Sequence, residues 1–237
     1  MTEFAQARGH PGAELEAVRD ARNYYDAIFN YFAPFLGKRV VEVGAGIGNF
    51  SRLLLARAPL SELTLIEPAE DLFPRLQQQF HGDARVTVIN GHLERTADSL
   101  APDSVVLVNV LEHCKDDEGL LRTIHRILPH GGTLLLFVPA LPFLYGSFDK
   151  VVGHVRRYTK SSLTSVLKNA QFDIACLRYF NMPGIVAWFL AGRVLRVTSL
   201  RHSYVQHYDR WVMPWVSRLE KQWAPPIGQS LLAIARK

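Results

Sequence analysis

The chain has 237 residues, of which 48% are hydrophobic and 21% charged, with a formal charge of +5; this is the balance of a folded protein with a sizeable core, and it excludes a largely disordered chain. Its two cysteines, Cys114 and Cys176, exclude a disulfide scaffold, and with no leader pattern at the N-terminus the expected compartment is the cytoplasm. Basic residues are scattered rather than run together, which disfavours nucleic acid as a partner, and the longest strongly apolar window, residues 182–191, is far shorter than the ~20 residues a membrane span needs.

Residues 1–12 lack periodicity and read as a loose arm. Residues 14–35 carry apolar side chains at helical spacing and stop near Pro34 and Gly37, which predicts a lid helix within a unit spanning residues 1–37. A domain over residues 38–237 follows. It opens with a strand (RVVEV), a glycine turn, a helix over 50–57, the strand LTLIE, a helix over 71–80 and the strand RVTVI. The apolar run 104–111 predicts a strand covered on both faces, and a helix over 118–128 and the turn PHGG lead to the strand TLLLFVP. Alternation of this kind builds a parallel α/β sheet. Residues 139–160 interrupt it with a long aromatic loop, a length that in compact domains usually marks function. Thr159 then caps a helix and FDIACLRYF makes another strand. The hydrophobic, Trp-rich stretch 182–223 predicts a helical insertion, read as a lid over an apolar acceptor, a membrane-surface helix pair or a homodimer face, beside ordinary core packing. Residues 227–235 supply the last strand.

The stretch VVEVGAGIGNF places Gly44, Gly46 and Gly48 where a buried strand becomes a helix, so the backbone turns tightly and a ligand can approach with no Cβ in the way. The spacing is G-x-G-x-G preceded by Glu42, not the G-x-G-x-x-G of dinucleotide sites. Glu67 closes the second strand, where doubly wound folds place a carboxylate on ribose hydroxyls. No tyrosine has a lysine four residues later, as a short-chain reductase requires. Together these motifs resemble the class I S-adenosylmethionine-dependent methyltransferases over most of residues 38–180 and again at the last strand. The resemblance implies a Rossmann-like sheet of seven mostly parallel strands with an antiparallel last strand, plus an N-terminal helix and a helical insertion. It implies S-adenosyl-L-methionine as cofactor, contacted by Glu42, Gly44, Ala45, Gly46, Gly48 and Asn49 of the first motif, and by Glu67 and Pro68 of LIEP. His92 stands where the family often carries an adenine-contacting Asp, with Leu93 or the backbone as substitute. Asn109, Val110 and Leu111 match the motif beneath the methionine part of the cofactor.

On the acceptor side, His154 lies in the loop that this fold sets beside the sulfonium, and imidazole titrates where a general base is useful, so His154 and His113 are the candidate catalytic residues. The competing role for His154 is to pin the loop through Asp149. Glu112-His113 also resembles part of an E-x-x-E-H arrangement that holds a divalent metal in ubiquinone-pathway and small-RNA methyltransferases; Asn109 takes its first position, which leaves one carboxylate and one imidazole unless His154 joins them, and no metal is expected. Candidate acceptor contacts are Tyr24 and Tyr25 on the lid helix and Tyr145, Phe148, Arg156, Arg157 and Tyr158 in the loop, the arginines as a clamp for carboxylate or phosphate. The expected reaction is methyl transfer to an O, N or C nucleophile of a small, partly apolar acceptor such as a natural product or lipid-linked intermediate. The alternatives are a catalytically silent cofactor- or protein-binding relative and an RNA methyltransferase; against the latter, NVLEH stands where an S/N-P-P-Y-type motif would be.

Overall fold

The computed structural model describes residues 19–197 and 202–237, so the expected arm and the first residues of the expected lid helix lie outside the described residues. Seven strands, β1 (Arg39–Val43), β2 (Glu62–Glu67), β3 (Val86–Asn90), β4 (Ser104–Val108), β5 (Thr133–Pro139), β6 (Asp173–Phe180) and β7 (Ser230–Arg236), form one sheet in the order β3-β2-β1-β4-β5-β7-β6. The first five pair in parallel, and β7 runs antiparallel between β5 and β6. Every residue of β5 is buried, as expected of a Leu-rich central strand with both faces covered, whereas β3 at the edge is only partly buried. The strand order reverses between β1 and β4, which opens a crevice at the carboxyl ends of the strands.

Ten helices are described: α1 (Arg22–Phe32), α2 (Asn49–Arg57), α3 (Phe73–Gln79), α4 (Leu93–Thr96), α5 (Asp117–Ile127), α6 (Ser147–Val152), α7 (Lys160–Asn169), α8 (Gly184–Phe189), α9 (His202–Trp211) and α10 (Met213–Gln222). Leu120, Ile124, Leu163 and Leu167 of α5 and α7 pack with one face of the sheet. On the other face lie Ile28 and Phe32 of α1, Leu54 of α2 and Met213 of α10.

Two expectations change. The apolar run 104–111 is not one strand: β4 ends at Val108, Asn109 takes a left-handed backbone with φ +55°, and Leu111–His113 forms a 3-10 turn. The Asn109 N–H still donates to the Phe137 carbonyl at 2.9 Å as the last rung of the β4–β5 ladder, and the left-handed backbone there turns the chain out of the sheet. Residues 139–160 are not an open loop either. They contain a 3-10 turn, Pro142–Leu144, and α6, whose entry is held by the Gly146 N–H donating to Asp149 Oδ2 at 2.9 Å. Thr159 does cap α7, accepting from the Ser162 N–H at 3.0 Å.

The N-terminus of α1 shows how the insertion is fastened to the domain. Its N-cap is Ala21, which has no side-chain acceptor for the free amides of the first turn. Asp209 of α9, 186 residues away, supplies one: its carboxylate accepts from the Asn23 N–H at 3.1 Å and the Tyr24 N–H at 2.8 Å. Asp209→Ala is therefore expected to cost ~1–3 kcal/mol, since it removes a cap and leaves partly buried amides unpaired. Urea unfolding checks this, and an unchanged midpoint would show that water replaces the carboxylate.

Candidate active site

The glycine turn leaves β1 through three left-handed residues, Gly44 (φ +69°), Gly46 (φ +58°) and Gly48 (φ +79°), a path costly for residues with a Cβ. At Gly44 a Cβ would also sit 2.6 Å from Val110 Cγ2, so the turn lies directly against the chain leaving β4. Glu67, at the end of β2, is buried and serves as the strut of this turn. Its Oε2 accepts from the Gly46 N–H at 2.7 Å and its Oε1 from the Ala69 N–H at 2.8 Å. Burial raises its pKa, and those two amides oppose the rise. Carboxylate oxygens accept more than one hydrogen bond, so both retain capacity for a ligand hydroxyl.

Glu42 lies beneath the turn, 3% exposed, and its Oε2 has no hydrogen-bond partner. Burial pushes its carboxyl up to about 8, with the nearby Glu67 adding to the rise and Ser51 opposing it. Helix α1 brings Tyr25 beside Asn49 and Glu42, and Tyr24 beside Asn109 and Ser230. The Tyr24 ring packs edge-on to Phe137 and Phe180 at 5.8 and 6.1 Å. Asn109 is exposed at the carboxyl end of β4, while the side chains of Val110 and Leu111 are buried in the core, leaving them only backbone to offer a ligand. Leu93 is likewise a core residue, which removes its side chain from adenine recognition, and His92 is half-buried at the start of α4. Pro68 is half-buried and Ala45 buried beside the same turn.

Across β4, the loop after β5 assembles a second group. His154 Nδ1 lies 2.8 Å from Asp149 Oδ1, and the Arg157 Nε donates to that same oxygen at 2.7 Å. Burial would raise the Asp149 pKa, but His154 and Arg157 outweigh it and hold the carboxyl below its usual range. An ionised Asp149 accepts, so His154 carries its proton on Nδ1 and presents a lone pair on Nε2. Burial lowers the His154 pKa, with Asp149 partly offsetting this. His154 Nε2 stands 3.8 Å from Oε1 of Glu112, a fully buried carboxyl with both oxygens unpartnered. His113 meets the His154 ring edge-on at 4.8 Å, and burial, with His154 adding to it, lowers the His113 pKa to about 3. One ligand atom from each of Glu112, His113 and His154 falls within 4.8 Å of the others, so the chain brings His154 to the Glu112-His113 pair in an arrangement able to hold a metal ion.

The loop side chains expected to face an acceptor are mostly engaged within the protein. Arg156 donates to Asp117 Oδ2 at 2.5 Å and to the Lys115 carbonyl at 2.8 Å. Arg157 is buried against Asp149 and the Ala140 carbonyl, and Tyr158 is buried with its hydroxyl donating to Asp117 Oδ2 at 2.8 Å. In place of the expected clamp, both arginines brace the loop from within through these carboxylates and carbonyls, and the Arg157 guanidinium also lies over the Trp188 ring at 4.9 Å. The Tyr145 hydroxyl donates to the His154 carbonyl at 2.8 Å, and Phe148 is buried edge-on to Trp188 at 5.1 Å. Asp117, which takes both Arg156 and Tyr158, carries no sequence signal, since its partners lie about 40 residues away.

These buried groups set a pH signature. Folded Glu42 and Glu112 both titrate near 8 against 4.5 in the ordinary side chain, and His113 near 3 against 6.5. Between about pH 6.5 and 8 the folded state keeps carboxyl protons that the unfolded chain has lost, so these two acids make stability fall as pH rises. Below pH 6.5 the histidines oppose this, since the unfolded chain binds protons that folded His113 refuses. Urea midpoints across pH 6.5–8 should fall in the parent, and the slope should flatten in Glu42→Gln/Glu112→Gln.

A family model described as a methyltransferase domain matches residues 17–177. Among curated proteins, a trans-aconitate 2-methyltransferase of Acidovorax sp. is 28% identical over 102 residues, 43% of this chain and 38% of the relative, so the match spans under two fifths of that protein. A ribosomal RNA small subunit methyltransferase A of Burkholderia ambifaria is 42% identical over 57 residues, 23% of this chain and 21% of the relative. Two solved structures share the fold. A SAM-dependent methyltransferase from Archaeoglobus fulgidus aligns with TM-score 0.62 and 18% identity, covering 94% of this chain and 97% of that one. Phosphoethanolamine N-methyltransferase 2 of Haemonchus contortus, in complex with S-adenosyl-L-methionine, aligns with TM-score 0.64 and 20% identity over 95% of this chain and 56% of its own. With the family model covering most of the chain, and with the glycine turn, the Glu67 strut and the strand order in place, the chain belongs to the methyltransferase-domain family, the S-adenosylmethionine-dependent enzymes of the class I fold.

Proposed function

We propose that the protein transfers a methyl group from S-adenosyl-L-methionine to an O or N nucleophile of a small, partly apolar acceptor. The observation that carries this is the placement of a glycine turn and an oriented imidazole at the same carboxyl edge of the sheet, on either side of β4. The pocket fits the cofactor chemically. The left-handed path through Gly44, Gly46 and Gly48 sets the turn at the carboxyl edge of the sheet for its amino-acid end, Glu67 has spare acceptor capacity for the ribose hydroxyls, and the unpartnered Glu42 Oε2 is an acceptor for its ammonium. When bound, this cofactor supplies an electrophilic methyl group on a sulfonium.

The protein's own part is positioning and proton removal. Tyr24 and Tyr25, on the helix capped by Asp209, cover the pocket and help to exclude water. His154 Nε2 takes the proton of an acceptor hydroxyl as the new bond forms, or that of an acceptor ammonium beforehand so that its nitrogen lone pair can attack, and Asp149 stabilises the imidazolium that results. Glu112 and His113 wall this position with groups that are uncharged at neutral pH, which keeps the surroundings apolar. Trp188 and Phe148 add an aromatic side to the loop, in keeping with an acceptor that is apolar in part.

The Glu112, His113 and His154 trio favours one other reading, a divalent cation that takes the acceptor oxygen in place of a base. Turnover of methyl-labelled cofactor against a panel of hydroxyl- and amine-bearing acceptors, with and without chelator, tests the proposal. Product formation indifferent to chelator supports the base; activity lost on chelation and restored by cation supports the metal. Cofactor binding with no turnover on any acceptor supports a catalytically silent relative.

A further inference from the structure

Helices α9 and α10 follow one another through Val212, with Pro214 in the first turn of α10. Their inward side is the stripe Asp209, Met213, Val216 and Glu220, all buried at spacings of three and four residues. On the outward side Tyr204, Trp211, Trp215 and Leu219 are 69%, 64%, 65% and 59% exposed, and Trp223, just past the helix, is 54% exposed. Trp211, Trp215, Leu219 and Trp223 recur every four residues, so they form one slanting ridge. Three of the four tryptophans of the chain stand in water on it.

Within residues 182–223 every exposed Asp, Glu, Lys or Arg among the described residues is basic, and at the start of α9 the acid Asp20 meets His202 at 3.3 Å. Residues 182–223 contain only two acids, Asp209 and Glu220. Both are turned inward: Asp209 caps α1, and Glu220 accepts from the Asn181 and Met182 amides at 2.9 Å each. The exposed charges Arg210, Arg218 and Lys221 flank the ridge, with Arg193 and Arg196 on the preceding turns. Arg210 lies over the Trp211 ring at 5.2 Å.

We infer that this ridge is a docking surface for an anionic lipid bilayer. Indole rings suit the headgroup level because one edge is apolar and the N–H finds polar partners, and flanking arginines and lysines gain from anionic headgroups. A nucleic-acid backbone would satisfy the cations but leave Leu219 and the indoles in water. Among the described residues no helix is long and apolar enough to cross a membrane, so the contact lies in the plane of the surface. Val194 and Leu195, 57% and 71% exposed beside Arg193 and Arg196, extend the same chemistry. Asp209 ties the ridge to the helix bearing Tyr24 and Tyr25, so a docked protein holds the wall of its cofactor pocket at the bilayer.

The inference needs no enzymatic turnover, and flotation of the whole protein tests it apart from the proposed reaction. Vesicles of phosphatidylcholine and phosphatidylglycerol, three to one, should carry the protein upward and shift its tryptophan emission to the blue; phosphatidylcholine vesicles should not, and added salt should release it. Trp211→Ser/Trp215→Ser should lower the partition coefficient by ~10-fold or more, and Arg210→Gln and Arg218→Gln by about 5-fold each, with thermal unfolding unchanged because the side chains are exposed. The inference is overturned by three outcomes: no flotation on the anionic vesicles, flotation indifferent to all four substitutions, or a parent dimer in light scattering that the tryptophan pair turns monomeric while vesicle binding is absent.

Discussion

His154→Ala and His154→Asn are expected to lower methyl-transfer turnover by ~10²- to 10⁴-fold while leaving cofactor affinity nearly intact, because a general base is felt only as the acceptor reacts. The geometry sharpens the expectation. Asp149 Oδ1 holds Nδ1 at 2.8 Å, so Nε2 is the basic atom, and Asp149→Asn should reproduce much of the loss by disturbing the tautomer. Burial lowers the His154 pKa, so the acid limb of the parent's rate profile should fall below the ordinary histidine value of 6.5 and vanish in both His154 variants. A purely structural His154 predicts otherwise. Its amide also donates to the Asp149 carbonyl and its carbonyl accepts from Tyr145, so the loop has backbone ties that the side-chain change leaves in place. Variants that keep the parent's pH profile and most of its rate would remove His154 from the chemistry.

Gly46→Val should abolish cofactor binding, a loss of ~100-fold or more in affinity. At φ +58° a β-branched residue is strained, and the turn would have to rotate. Rotation moves the Gly46 N–H off Glu67 Oε2, so one change disturbs both the glycine turn and the acid at the end of β2. Calorimetry with S-adenosylhomocysteine measures the loss, and affinity equal to the parent's would overturn the pocket assignment. Glu67→Ala, expected to cost ~1.5–3 kcal/mol of affinity, also frees two amides and so lowers stability, whereas Glu67→Gln retains one acceptor oxygen and isolates the charge. The two Glu67 variants therefore divide ligand binding from bracing.

Local physics explains what was legible. β1, β2, β3 and β5 follow from short apolar runs bounded by turn residues, and the glycine turn from a backbone path that favours residues without a Cβ. Glu67 was legible because its distance from the turn is set by one helix and one strand of ordinary length. The end of β4 was not, because SVVLVNVLEH continues apolar while the left-handed backbone at Asn109, just past its last ladder bond to Phe137, turns the chain out of the sheet.

By itself the sequence determined the alternating α/β class, the position of the glycine turn and its acidic partner, and the presence of an imidazole and aromatic residues after β5. Tertiary structure decided which polar groups were already engaged. Arg156 and Tyr158 look free in sequence but close on Asp117, and Arg157 on Asp149. His154 reaches Glu112 and His113 only because β4 and β5 lie side by side and their following loops meet. It also decided the insertion, whose composition suits a core as well as a surface; the burial of Asp209, Met213, Val216 and Glu220 leaves Trp211, Trp215 and Trp223 outward. Periodicity and turn chemistry act over a few residues and can be read from neighbours, whereas a charge is paired or free, and an indole buried or wet, according to residues far away in the chain.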